Sequence, residues 1–107
     1  MSDQIHVLRP LGRLDNVTSS GIEREAIEII ERGGRLLLID LGGLNYISSA
    51  GLRMALAVAK RLDAIGGRLA LCSPQPQVAE VFEISGIDGI LDIHASAGAA
   101  AGRLAAG

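Results

Sequence analysis

A chain of 107 residues, 49% of them hydrophobic, has room for one domain around one modest core, and its apolar content excludes disorder. The net charge is −2, Lys60 is the only lysine among ten basic residues, and one Phe, one Tyr and no Trp are present. This excludes a basic nucleic-acid footprint, a base-stacking platform and an aromatic-lined ligand pocket.

Ile5 to Leu11 reads as a first strand, with Pro10 marking an edge or irregularity near its end. From Val17 to Glu31 an apolar stripe of Ile22, Ala26, Ile29 and Ile30 predicts a helix, with Thr18, Ser19 and Ser20 as N-caps and Gly33-Gly34 as its stop. The run Arg35 to Leu41 predicts a buried strand and Gly42 to Ile47 a loop. Leu52, Ala55, Leu56, Ala59 and Leu62 then recur at helical spacing, giving a helix from about Ser49 to Ile65 closed by Gly66-Gly67.

The second half repeats this alternation. Arg68 to Cys72 reads as a strand, Ser73-Pro74-Gln75-Pro76 as a turn, Gln77 to Ile84 as a short helix and Ile90 to Ile93 as a last strand. The tail Ala95 to Gly107, rich in Ala and Gly, is expected to form a fraying terminal helix. Strands alternating with helices predict an α/β sandwich with a mostly parallel sheet of about four strands. Cys72, the one cysteine, rules out an internal disulfide and reads as a small buried hydrophobe. His6 and His94 are isolated in the sequence, so neither a metal nor another cofactor is expected. No basic leader precedes an apolar stretch, and no apolar run approaches the roughly 18 residues of a membrane span. A cytoplasmic protein without a membrane or nucleic-acid partner is therefore the expectation.

Two adjacent hydroxyls, Ser48 and Ser49, mark the start of the second helix. Unpaired N–H groups and the positive end of the helix dipole gather at such a terminus, so a serine there either caps the helix or accommodates a phosphoryl group. Arg53 lies one turn on, placed to meet a carboxylate or phosphate. Asp15 is either a cap before the first helix or a partner-facing acid, and Asp40 ends the central strand where it can accept from loop amides near Gly42 and Gly43. Tyr46 packs its ring at the sheet edge, with its hydroxyl free to reach an interface.

Four segments in order resemble one family. They are Gly12-Arg13-Leu14-Asp15, then Leu38-Ile39-Asp40-Leu41 with Tyr46-Ile47-Ser48-Ser49-Ala50-Gly51-Leu52-Arg53, then Gly66-Gly67-Arg68-Leu69, then Val81-Phe82-Glu83-Ile84-Ser85-Gly86-Ile87. Together they resemble a STAS domain of the anti-sigma factor antagonist type, over about residues 5 to 94 of a single domain spanning 1 to 107. The resemblance implies that Ser49 matches the serine phosphorylated by a partner kinase. It also implies that Asp15, Tyr46, Ser48, Ser49, Gly51, Leu52 and Arg53 belong to the partner-binding surface. The implied partners are an anti-sigma factor carrying a histidine-kinase-like serine kinase domain and a serine phosphatase of the PP2C type. Ser48 departs from the pattern, standing where many relatives carry aspartate. Relatives also have a longer N-terminal hairpin, so the strand before Ile5 is expected to be shortened or missing.

Catalysis by the chain itself is not expected. No Gly-x-Gly-x-x-Gly or Lys-Ser/Thr phosphate loop is present, and Gly-x-Ser-x-Gly fails because Ile47 and Gly51 flank Ser49 at those offsets. A STAS module that binds partners or a small ligand without phosphorylation is the other function consistent with these residues.

Overall fold

The computed structural model describes residues 4–106. In chain order the elements are β1 (Ile5–Leu8), β2 (Gly12–Leu14), α1 (Asn16–Glu31), β3 (Leu36–Asp40), β4 (Leu44–Ile47), α2 (Ser49–Ala64), β5 (Arg68–Cys72), α3 (Pro76–Ser85), a 3-10 turn (Ile87–Gly89), β6 (Ile93–His94) and α4 (Ala97–Ala106). Strands β1, β3, β5 and β6 form one sheet in the order β1-β3-β5-β6, with every neighbour parallel. A separate parallel pair, β2 with β4, stands apart from it. The predicted α/β sandwich with a parallel four-stranded sheet is the observed one.

Alternation along the two central strands divides the core in two. Leu37, Ile39, Leu69 and Leu71 point into the larger cluster, which includes Ala26 of α1, Val58 and Leu62 of α2, and Val78 and Phe82 of α3. Leu38, Ala70 and Cys72 point the other way, against Ala100 and Leu104 of α4. Burial on both faces explains why Leu36 to Ile39 reads as a continuous apolar run. Cys72 is fully buried here, and its burial pushes the thiol pKa up, holding it protonated as a core group.

Five sequence expectations change. The strand expected from Ile5 to Leu11 ends at Leu8, because Pro10 lacks a donor, and a second strand that was not expected, β2, begins beyond it at Gly12, where the chain turns at φ 76°. The segment Gly42 to Ile47, expected to be a loop, contains β4. Its Asn45 and Tyr46 are exposed between buried Leu44 and Ile47, so no period-two pattern announces it. Helix α1 starts earlier than Thr18: Asp15 is its N-cap, Thr18 sits at the third helical position, and Ser19 is buried. The last strand is Ile93–His94 rather than Ile90 to Ile93, because the 3-10 turn uses the preceding residues, with Leu91 N–H donating to the Ile87 carbonyl at 2.8 Å. The strand before Ile5, expected to be shortened or missing, would fall on residues 1–4, of which 1–3 lie outside the described residues and Gln4 is in no strand.

The fifth change concerns the tail, where α4 docks instead of fraying. Ala100 and Leu104 have 0% and 1% of their surface exposed, and the small Ala side chains let the helix lie close on the sheet. Asp92, half-buried, lies 2.9 Å from His94 Nε2 and 4.0 Å from Nε of the more exposed Arg103 on α4, the second a long contact that contributes little. No helix among the described residues is long and apolar enough to cross a membrane.

Packing of α4 carries a prediction. Leu104→Ala leaves a hole against Leu38 and Ala70 and is expected to cost about 2 kcal/mol, the low end for a buried leucine because a terminal helix can settle. Urea unfolding should show a lower midpoint with an unchanged slope.

Candidate functional site

The parallel pair β2–β4 delivers two helices side by side. Leu14 of β2 is followed by Asp15, the N-cap of α1, and Ile47 of β4 by Ser48, the N-cap of α2. Because the strands are parallel and Leu14 pairs with Ile47 at their ends, both helix N-termini emerge on the same side, and α1 packs along α2.

Each cap is built differently. Asp15 Oδ1 accepts from the amides of Val17 and Thr18 at 3.0 and 3.1 Å, while the Asp15 amide donates to Thr18 Oγ1 at 2.9 Å, a complete capping box. The Thr18 hydroxyl donates to the Arg13 carbonyl at 2.7 Å, tying α1 back to β2. These bonds, the Thr18 amide foremost, hold the Asp15 carboxyl below its ordinary 3.8, with Arg13 adding a smaller electrostatic pull. The structure thus gives Asp15 the capping role, one of the two roles expected for it.

Ser48 ties its helix to the other strand. Its amide and hydroxyl both donate to the Leu14 carbonyl, at 2.9 and 3.1 Å, and its Oγ accepts from the Gly51 amide at 3.4 Å. The hydroxyl of Ser48 is therefore occupied by the cap. Ser49, the first residue of α2, is exposed. Of the two serines only Ser49 is presented outward.

Beneath them the fit is tight. A Cβ on Gly51 would come within 2.8 Å of Ile47 Cγ1 and 3.1 Å of the Leu14 carbonyl oxygen, so only glycine lets α2 approach the strand pair this closely. Gly51 and Leu52 are buried and shape the site from below, whereas Arg53 is exposed one turn after Ser49. Asp40 takes the role expected for it: its Oδ1 accepts from the Gly42 amide at 2.9 Å, and its other oxygen lies 3.6 Å from Arg9 Nε. Gln75 Nε2 donates to the Gly42 carbonyl at 2.9 Å, bracing the same turn from the start of α3.

One residue escaped sequence reasoning. Arg13 enters the sequence reading only as part of Gly12-Arg13-Leu14-Asp15, with no role of its own, but its guanidinium lies 4.1 Å from the centroid of the Tyr46 ring. Arg13 pairs with Tyr46 across β2 and β4, so the contact is visible only once β4 is recognised as a strand. Such an exposed cation–π contact contributes about 0.5–1 kcal/mol. The structure brings Asp15, Tyr46, Ser48 and Ser49 to one end of the strand pair, with Arg13 and Arg53 beside them.

The STAS domain family model matches residues 1–100. This chain is a STAS domain protein of the anti-sigma factor antagonist family. It is 44% identical over 90 residues to BtrV of Bordetella bronchiseptica, named as a candidate anti-sigma factor antagonist, covering 84% of this chain and 78% of BtrV. It is also 32% identical over 82 residues to the anti-sigma F factor antagonist of Lysinibacillus sphaericus, covering 76% of this chain and 70% of that protein. The structure of the anti-sigma factor antagonist SpoIIAA in its unphosphorylated form superposes with a TM-score of 0.79 at 26% identity, covering 95% of this chain and 89% of that one. The phosphorylated form of Bacillus SpoIIAA has the same fold, with a TM-score of 0.73.

Within this STAS domain the glycine beneath the serines is open to test. Gly51→Ala is expected to destabilise by about 1–3 kcal/mol, because the added methyl meets the Leu14 carbonyl oxygen as well as the branched, buried side chain of Ile47. Thermal unfolding of the variant should show a single transition at lower temperature.

The first cap supplies a pH test. Its carboxyl has a lowered pKa in the folded state, so its contribution is present above the ordinary value of 3.8 and disappears as pH falls through the folded-state pKa. Asp15→Asn keeps an oxygen acceptor but cannot titrate. Urea midpoints measured from about pH 6 down to about pH 2 should fall less steeply for the variant than for the wild type.

Proposed function

We propose that this protein is an anti-sigma factor antagonist that works by partner switching, with Ser49 as its reversible phosphorylation site. The observation that carries this reading is the division of labour between the serines: Ser48 is engaged as the cap, and Ser49 stands exposed at the first position of α2. The names of the relatives supply the class of partner, an anti-sigma factor. That partner carries a histidine-kinase-like serine kinase domain, which transfers a phosphoryl group to Ser49 Oγ. A PP2C-type serine phosphatase removes it, in the cytoplasm. Any chemistry at Ser49 is performed on this protein and not by it.

In the unmodified state the partner covers the exposed Tyr46, Ser49 and Arg53, with Asp15 at the rim and Ser48, Gly51 and Leu52 fixing the shape beneath. A phosphate adds about −1.5 to −2 charge where the interface would close, and a dianion left without water or a cation there is costly. Inverting a population from mostly bound to mostly free requires an affinity change of about 5.5 kcal/mol.

Binding to the purified anti-sigma factor, measured by calorimetry, tests this. Ser49→Ala should bind as the wild type does, and Ser49→Asp should bind at least tenfold more weakly, since a single negative charge carries only part of the phosphate effect. Equal binding by both variants, together with no phosphate on the Leu36 to Arg53 peptide from native cells, would leave a STAS interaction module without covalent control.

A further inference from the structure

Phosphate on Ser49 would enter a neighbourhood with an unusual charge pattern. The first turn of α2 contains no acidic residue, and Ser48 occupies the cap without adding charge. The Asp15 carboxylate at this end of the strand pair is engaged in its capping box, and Asp40, at the other end of β4, lies beside Arg9. Arg13 and Arg53, both exposed, are the cations nearest Ser49 along the strand pair and along the helix.

Their placement follows from the backbone. Arg53 is four residues after Ser49 on the same helix, the spacing at which an anion and a following cation face each other. Arg13 immediately precedes Leu14, and the Leu14 carbonyl accepts from the Ser48 amide at 2.9 Å. Arg13 and Ser49 are therefore one residue either side of a direct backbone contact, about 3.8 Å of chain from it in each case. Arg13 now rests on the Tyr46 ring at 4.1 Å, a weak and exposed contact that a phosphate dianion readily outcompetes.

We propose that Arg13 is an internal receiver for the phosphate: on phosphorylation of Ser49 its guanidinium leaves the Tyr46 ring and pairs with the phosphoryl oxygens, with Arg53 closing on them from the helix. This rests on the reading of Ser49 as the phosphosite and adds how the modified surface is built. The phosphorylated face differs from the unmodified one in three linked ways. It gains a phosphate, it ties up two exposed cations, and it uncovers the ring of the chain's only tyrosine. A partner whose carboxylates met Arg13 and Arg53 would lose both at once, so the switch needs no fixed carboxylate beside the phosphosite.

The test uses full-length protein carrying phosphoserine at position 49 by site-specific incorporation, so it needs neither kinase nor anti-sigma factor. Phosphorus NMR reads the second ionisation of the phosphate, which lies near pH 6 when unperturbed. A paired cation favours the dianion, so the wild-type value should fall below that of Arg13→Gln by about half a unit or more. Arg13→Lys, which keeps the charge, should recover most of the difference, and Arg53→Gln should show a smaller rise. In the same samples the Tyr46 ring resonances should move on phosphorylation in the wild type and stay still in Arg13→Gln. Equal phosphate titration in wild type and Arg13→Gln would overturn the proposal. That result would leave phosphorylation of Ser49 standing, whereas absence of phosphate on Ser49 in cells would remove the switch without touching the titration.

Discussion

The carbonyl of Leu14 is the point on which the site depends. It accepts both the amide and the hydroxyl of Ser48, and through them the start of α2 is fixed to the strand that leads into α1. A serine cap ordinarily satisfies only its own helix. Here the same hydroxyl also reaches a residue 34 positions away, so the two helix N-termini form one rigid platform. Gly51 completes it from below, because the carbonyl and side chain of Leu14 occupy the space a Cβ would need.

This arrangement explains why Ser48 and Ser49 are not interchangeable despite being neighbours. Modifying Ser48 would remove the hydroxyl proton donated to Leu14 and place a dianion against a backbone carbonyl, in a half-buried position. Modifying Ser49 disturbs none of those bonds. Serine suits this cap for the same reason: the cap needs an oxygen acceptor, and a hydroxyl supplies one while adding a donor that a carboxylate lacks. The consequence is electrostatic, since the first turn of α2 then carries no charge of its own and the nearby arginines set the sign of the surface.

How much of this was legible in the sequence depended on whether a segment announced itself by burial. Leu36 to Ile39, the α2 stripe through Leu62 and the β5 run were readable because both faces of the sheet are covered and α2 packs one face on the core. Strand β4 was not, because it belongs to a two-stranded ribbon whose middle residues Asn45 and Tyr46 face outward, leaving no alternation to read. Missing β4 hid the Arg13–Tyr46 contact as well, since that pair exists only through the register of β2 against β4. Asp15 could be read as a cap, but competing hydroxyls at Thr18, Ser19 and Ser20 drew the expected helix start downstream; one of them proves to be the reciprocal partner in the capping box. The tail misled for a thermodynamic reason. Glycines at 98 and 102 lower intrinsic helix propensity, yet Ala100 and Leu104 on the facing side bury completely, and tertiary packing outweighs propensity.

A platform this constrained also limits how the proposed switch can operate. A modification shifts an equilibrium only by the difference in interaction energy it creates between two states. Around Ser49 the backbone is held by the Leu14–Ser48 bonds and by the close approach of Gly51 to Leu14 and Ile47, so a local backbone rearrangement would have to break these contacts. The free energy of switching must then come from the surface: the phosphate itself, the side chains that turn toward it, and the water and partner groups displaced. Long exposed side chains such as Arg13 and Arg53 are the parts of this site with freedom to move, and rearranging them changes what a partner meets without disturbing the fold beneath.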